Sequence, residues 1–284
     1  MSTSIIVATH ARPDSLRRLL DSLAPQIIAD QRELLIAENG TDAPTQLAAG
    51  IVGLKHLHES RPGKCRIQNS AIREATGDIM VFLDDDLIVA PNYLDAVESF
   101  FDTHPEFAAM KGRVLPVEDP EQKIGPMSVY LDLPIVDHGD RVCEVRGVLG
   151  ANMAFRATAL AKVGLFNERL GPGACGHEEE TEMSARLRTA GYRIGYAPGA
   201  LVYHEVDSAR ADRERYIRVS RERGRCRMLH EHHSALDVIT KNAVAMARLR
   251  FAQLVGASTA RIAREERRFA IARGMFDGLG GKVS

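Results

Sequence analysis

Residues Ile79-Met80-Val81-Phe82-Leu83 run apolar without a break and stop at three consecutive carboxylates, Asp84, Asp85 and Asp86. A short run of this kind, rich in β-formers, predicts a strand buried on both faces, as at the centre of a parallel sheet. Such a strand needs helices on either side, which restricts the chain to an α/β architecture. Three adjacent anions repel one another, so the fold has reason to bring cations or donors to the strand's mouth. In open α/β sheets that mouth is where ligands sit. Hard oxygen donors there favour Mg2+ or Mn2+, shared with a substrate's phosphates. The plain alternative is a solvated acidic turn.

The rest of the chain fits around that strand. Ser4–Thr9 reads as a first strand, and Pro13 and Asp14 open a helix carrying Leu16, Leu19, Leu20 and Leu23 on one face, which Pro25 is expected to close. Glu33–Ala37 predicts a second strand and residues 54–58 a third, with a helix over Gly63–Thr76 leading into the acidic strand. A helix over Pro91–Asp102, a strand over Phe107–Leu115, a loop-prone stretch 116–146 and a strand over Val148–Phe155 follow. The glycine-rich segment Gly171–Gly176 is expected to be mobile and precedes a helix over Glu178–Ala190. Pro198-Gly199 is expected to separate two short strands, Arg193–Ala197 and Ala200–His204. The alternation of strand and helix predicts a mostly parallel sheet flanked by helices over residues 1–206. Residues 207–284 form a helical, arginine-rich appendage.

Charge separates the two parts. From Glu205 onward there are 17 Lys and Arg against 10 Asp and Glu, so a chain of formal net charge −1 carries +7 in its tail. The tail is expected either to meet an anionic partner or to present a solvated basic face. Arg213, Arg215, Arg218, Arg221, Arg223, Arg225 and Arg227 crowd one segment, and the apolar stretch Ala235–Ala257 follows, a pattern that suits a helix lying on an anionic membrane. Packing against the first domain or a second copy is the other reading. Met1-Ser2-Thr3 leads directly into a strand-length apolar run, which predicts no leader, and no stretch has the length of a spanning helix. The four cysteines, Cys65, Cys143, Cys175 and Cys226, form no CxxC pair and are expected to be reduced thiols of a cytoplasmic protein.

The chemistry-bearing residues fall into a few groups. Alternation along an extended segment puts Asp84 and Asp86 on one side, suited to a ribose hydroxyl and a metal, with Asp85 in support. Glu38, ending the second strand, is placed to accept hydrogen bonds from a nucleobase or ribose. Glu178-Glu179-Glu180-Thr181-Glu182 holds more negative charge than a helix N-terminus needs, so one member is a candidate general base. His204, ending a β-rich segment, is a candidate metal ligand, whereas His177, His230, His232 and His233 are expected at the surface. Lys64 and Arg66, at a helix start, are candidates for phosphate.

The ordered set Val7-Ala8-Thr9-His10-Ala11-Arg12-Pro13-Asp14, Glu38-Asn39-Gly40-Thr41-Asp42, Asn69, Ala75-Thr76-Gly77-Asp78, Phe82-Leu83-Asp84-Asp85-Asp86, the glutamate cluster and Gly191-Tyr192-Arg193-Ile194 through Pro198 to His204 resembles family-2 glycosyltransferases of the GT-A fold. The resemblance covers roughly residues 3–206. It implies an inverting transfer of a sugar from a nucleoside diphosphate sugar to an acceptor hydroxyl, with Mn2+ or Mg2+ as cofactor. By position, Thr9 and Arg12 match the segment that embraces the donor nucleotide, and Glu38 its base- or ribose-contacting acid, where aspartate is usual. Asp84 and Asp86 match the D-x-D carboxylates, and His204 a metal-binding histidine. Glu179-Glu180 stands where Glu-Asp is common, which leaves the base open between the two and favours Glu180. Gln68 replaces the usual arginine, and Lys64 is expected to serve instead. Asn69 is expected to contact the donor and Asn152 to face the acceptor, which is a glycan, a lipid-linked sugar or a small molecule. Homo-oligomerisation and peripheral contact with the inner membrane face stay open, and no nucleic acid is expected as a partner. Metal-dependent nucleotidyl or phosphoryl transfer, and a module that binds a nucleotide sugar without turning it over, are the competing readings.

Overall fold

The structure is a computed structural model and describes residues 1–30, 32–40 and 54–279. In chain order the elements are β1 (Thr3–Thr9), α1 (Pro13–Asp30), β2 (Glu33–Asn39), β3 (Leu54–Glu59), α2 (Lys64–Glu74), β4 (Ile79–Asp84), β5 (Leu87–Val89), α3 (Tyr93–Thr103) and β6 (Phe107–Pro116). They continue with α4 (Pro120–Ile124), β7 (Cys143–Glu144), β8 (Asn152–Arg156), α5 (Ala157–Val163), α6 (Glu179–Thr189), β9 (Arg193–His204), α7 (Arg213–Arg227), α8 (Ala235–Leu254) and α9 (Thr259–Gly278). Thr41 and Asp42 of the turn cluster lie outside the described residues.

The chain divides into two compact units. The first comprises Met1–Val117, Pro134–Glu168 and Glu179–Glu205; the second, Glu118–Leu133, Arg169–Glu178 and Val206–Ser284. Two stretches expected inside the first domain, 118–133 and 169–178, thus belong with the tail. The first of them also replaces part of the expected loop with α4 and a 3-10 turn over Gly125–Tyr130.

In the first unit the strands run in the order β3-β2-β1-β4-β8-β6-β9-β5, with β7 added on β9. Pairing is parallel across β3, β2, β1 and β4 and between β6 and β9. It is antiparallel where β8 enters between β4 and β6, and where β5 and β7 join β9, so the sheet is mixed. Strand alternation distributes the core over both faces. Ile5, Val7, Val81 and Leu83 pack toward Leu16, Leu19 and Leu23 of α1 and Leu94, Val97 and Phe101 of α3. Ile6, Met80 and Phe82 pack toward Ile67 and Ala71 of α2, Leu160 of α5 and Met183 and Leu187 of α6. Phe82 is fully buried between the rings of Phe155 and Phe166, a contact set worth about 3–5 kcal/mol against truncation to alanine.

Two local readings change. Pro25 does not end α1; the helix continues to Asp30 because Leu23 and Ile27 are both buried on its core face, and a single lost backbone donor costs less than exposing them. Pro198-Gly199 does not split β9 either. The pairing with β6 jumps there, from Gly112 opposite Ala197 to Arg113 opposite Leu201, so the dipeptide is absorbed as a bulge and the strand runs on to His204.

In the second unit, α7 and α9 cross through Gly224 and Gly274. A Cβ at Gly224 would collide with the carbonyl oxygen of Ile271, and one at Gly274 with that of Arg221. Cys175 and Cys226 form a disulfide, with Cα atoms 5.7 Å apart across a sequence separation of 51. The expectation of four free thiols therefore fails for this pair; spacing along the chain carries no trace of a contact made by tertiary folding. The segment Gly171–Gly176, expected to be mobile, is tied by that bridge and by backbone bonds from Gly171 to His177 and from Gly176 to Gly171. No helix among the described residues is long and apolar enough to cross a membrane.

Candidate active site

Strand ends of the first unit collect the acidic triplet and its counter-charges. Asp85 is buried, accepting from Thr9 Oγ1 at 2.7 Å and from Arg12 Nη1 at 3.2 Å. Burial pushes the Asp85 carboxyl up from its ordinary value, while the Thr9 hydroxyl and the Arg12 guanidinium pull against it. Arg12 also reaches Asp86 Oδ2 at 3.2 Å. Thr9 and Arg12, expected to embrace the donor nucleotide, are bonded here to the carboxylates of the triplet.

His204 arrives through strand register. β5 pairs Leu87 with His204, which sets the imidazole beside the residue just before Leu87. Its Nε2 lies 3.3 Å from Asp86 Oδ1 and its Nδ1 lies 3.0 Å from the carbonyl oxygen of Glu205. A ligating histidine characteristically sets its other nitrogen against a backbone carbonyl, as Nδ1 is set against that of Glu205. The donor set Asp86 and His204 fits a divalent metal on those grounds.

Asp84 pairs with Lys64, the first residue of α2. The preceding turn depends on Gly63, whose φ of 137° lies in the region glycine adopts without strain. Asn39 fixes that turn: its amide donates to the carbonyls of Glu59 and Arg61 at 2.8 and 2.7 Å and accepts from the Gly63 N–H at 2.8 Å. Glu38, next to it on β2, is buried with one oxygen 2.8 Å from His56 Nε2.

The second acidic cluster opens α6. Glu182 is bound by Arg186 at 2.7 Å, and Arg186 also donates to the carbonyls of Val163 and Leu165, so Glu182 is structural. Glu178 belongs to the second unit, where Arg227 lies at 3.2 Å and His230 Nε2 at 3.6 Å. His230 is therefore buried rather than superficial, its side chain only 5% exposed. Crowding falls on Glu179: burial first, and then the charge of Glu180, push its carboxyl well above the ordinary range. Glu180 is half-buried beside it.

Lys64 joins the two clusters. Burial alone would lower its pKa, but the charges of Asp84, Glu179 and Glu180 reverse that and hold it protonated. A Cβ built on Gly150 would lie 3.8 Å from both Lys64 Nζ and Glu179 Oε1, so the bare backbone of Gly150 borders the gap between them. Asp84 of the triplet and the glutamates Glu179 and Glu180, nearly a hundred positions apart, thus meet at one site around Lys64.

Two expected ligand contacts do not belong to it. Asn152 is fully buried, bonded to Tyr93 Oη and to the carbonyls of Arg113 and Ala200, in space left by the missing side chain of Gly112. Asn69 is likewise buried, exchanging bonds with the backbone of Phe166 and donating to Glu168. Both amides hold strands and loops together, with their side chains engaged within the protein. Lys111, which sequence reasoning passed over, does bear on the site: burial lowers its pKa and Glu180 raises it. Its signal was a lone lysine within the apolar run Phe107–Val114.

The fold and this crevice define an α/β enzyme of the GT-A type. Residues 4–160, over half of the chain, match the family described as Glycosyl transferase family 2, and the chain belongs to that family. It is similar to the O-antigen biosynthesis protein RfbC of Myxococcus xanthus, 30% identical over 233 residues that cover 74% of this chain and 18% of that protein. It is also similar to the glucosyl-dolichyl phosphate glucuronosyltransferase of Haloferax volcanii, 22% identical over 227 residues, 75% of this chain and 72% of that one. The chain thus spans a small part of RfbC and most of the second relative. Among solved structures, a mannosyltransferase from Pyrobaculum calidifontis in complex with GDP-Man and Mn2+ shares the fold with a TM-score of 0.62 at 16% identity, over 98% of this chain and 86% of that chain. GalNAc-T7 with UDP, GalNAc and Mn2+ does so with a TM-score of 0.54 at 13% identity, over 77% and 47%.

Proposed function

We propose that this glycosyltransferase moves a sugar from a nucleoside diphosphate sugar to an acceptor hydroxyl with inversion, using Asp86 and His204 for a divalent metal and Glu180 as general base. The observation that carries the reading is the convergence of both acidic clusters on Lys64. When bound, Mn2+ or Mg2+ would offset charge developing on the departing diphosphate. Thr9, Arg12 and Glu38 line the donor side, with Asp85 held by Thr9 and Arg12 and Glu38 held by His56. Glu180, the more accessible of the pair, takes the acceptor's proton as its oxygen attacks the anomeric carbon from the face opposite the leaving phosphate. The bond from that carbon to the phosphate oxygen breaks, and nucleoside diphosphate leaves. Glu179, kept protonated, supports Glu180 without competing for the acceptor. Similarity to an O-antigen biosynthesis protein and to a glucosyl-dolichyl phosphate glucuronosyltransferase favours a glycan or lipid-linked acceptor over a small molecule.

Two-metal nucleotidyl transfer suits the site less well: Glu182 is committed to Arg186, and Lys64 already occupies the neighbourhood of Asp84 and Glu179. Incubating the protein with nucleotide sugars and Mn2+ and identifying the nucleotide released tests the choice. Nucleoside diphosphate is expected; nucleoside monophosphate or pyrophosphate would select the other chemistry, and tight binding without product would select a non-catalytic module.

A further inference from the structure

Helix α8 has two apolar sides. Val238, Ala245 and Ala252 recur every seven residues and are buried. On the opposite side Leu236, Ile239, Met246, Phe251 and Leu254 are 74%, 49%, 46%, 58% and 85% exposed, a stripe along the full length of the helix. Helical spacing puts Arg250 inside this stripe and Arg248 on its flank.

The arginines around it divide in the same way. Arg213, Arg221, Arg225 and Arg273 are spent on Glu266 and Asp277, and Arg223 on Asp132. Among the described residues, by contrast, no carboxylate lies within ion-pair distance of Arg248, Arg250, Arg261 or Arg264, all of which lie on α8 and α9. An exposed apolar stripe with Arg250 inside it and Arg248 on its flank matches a lipid surface with anionic headgroups: the side chains of Leu236, Phe251 and Leu254 enter the acyl boundary while the two guanidinium groups stay among the phosphates. A second copy of the chain fits worse, because a self-complementary contact through this face would set Arg248 and Arg250 against their own equivalents without a counter-ion.

We infer that the outer face of α8 is a docking surface for an anionic bilayer, on which the helix lies flat. The inference stands apart from the chemistry proposed for the crevice, and its test needs no turnover. Purified full chain is floated with vesicles of phosphatidylcholine alone and of phosphatidylcholine mixed with phosphatidylglycerol, at low and high salt. It is expected to rise with the mixed vesicles at low salt, to stay down with the neutral ones, and to be released by salt. Arg248→Gln and Arg250→Gln are each expected to weaken partitioning about fivefold. The triple variant L236E/F251E/L254E is expected to stay down altogether while melting at the wild-type temperature, since all three side chains are exposed. The chain has no tryptophan, so Phe251→Trp supplies a single reporter whose emission should shift to the blue with mixed vesicles only. A wild-type protein that does not rise with mixed vesicles, or a triple variant that rises equally, overturns the inference. So does a dimer in sedimentation that the triple variant splits, because the face would then belong to a second copy.

Discussion

The two acidic clusters of the first unit are matched in charge but not in how that charge is answered. At the end of β4 every carboxylate meets a cation: Asp84 meets Lys64, and Asp85 and Asp86 both meet Arg12. At the start of α6 Glu182 is paired with Arg186, while Glu179 is buried against Glu180 and responds by holding its proton. The first arrangement suits groups that must stay ionised to bind. The second suits a pair that must accept one proton and no more.

Removing the working member should have the largest effect. Glu180→Gln is expected to lower kcat by about 10²–10⁴-fold with little change in KM for the donor, read from nucleoside diphosphate release. Full turnover in this variant would transfer the base role to Glu179. Lys64→Ala should come next, destabilising the fold by about 3–5 kcal/mol in urea titration, because it strips the buried partner from Asp84 and leaves Glu179 facing uncompensated charge. A cost under about 1 kcal/mol would mean that Lys64 does not join the clusters.

Glu179→Gln should reveal itself through pH. The folded chain holds the Glu179 proton up to about 8 against an ordinary value of 4.5. The neutral form is the one the fold favours, so this contribution is whole below the ordinary value and is lost as pH rises toward the folded one. The glutamine variant should gain on wild type by ~1.4 kcal/mol per pH unit across that window and no further above it. In the background of Glu180→Gln the window should narrow from its upper end, since one cause of the shift is gone. Parallel stability curves would show that Glu179 is ionised when folded. Glu182→Gln should do least, about 1 kcal/mol with turnover unchanged, because it weakens a partly buried i,i+4 pair with Arg186 while the guanidinium keeps its bonds to the carbonyls of Val163 and Leu165.

The charge balance at the end of β4 was legible in the sequence: an apolar run ending in Asp84-Asp85-Asp86 already demanded a buried strand and a cationic response, and Lys64 and Arg12 supply it. The amides were misread because a polar residue beside a motif has the same appearance in sequence whether it faces a ligand or the core. For Asn152 and Asn69 the deciding facts are burial and three satisfied bonds each, which belong to tertiary structure. His204 carried a weak signal of its own; only the β5–β9 register makes it a neighbour of Asp86. The Cys175–Cys226 bridge and the membership of residues 118–133 and 169–178 in the second unit are long-range facts of the same sort. Pro25 and Pro198 mark a different limit, where packing of the flanking residues outweighs a local breaker.

The crossing of α7 and α9 through Gly224 and Gly274 has a consequence for how this chain can change. Backbone meets backbone there, so neither position has room for even a methyl group. A mutational library spread over the outer face of α8 should return folded proteins of nearly any composition, whereas one spread over these two positions should return glycine almost every time. Retargeting by sequence drift is therefore open on the surface of the appendage and closed at its waist.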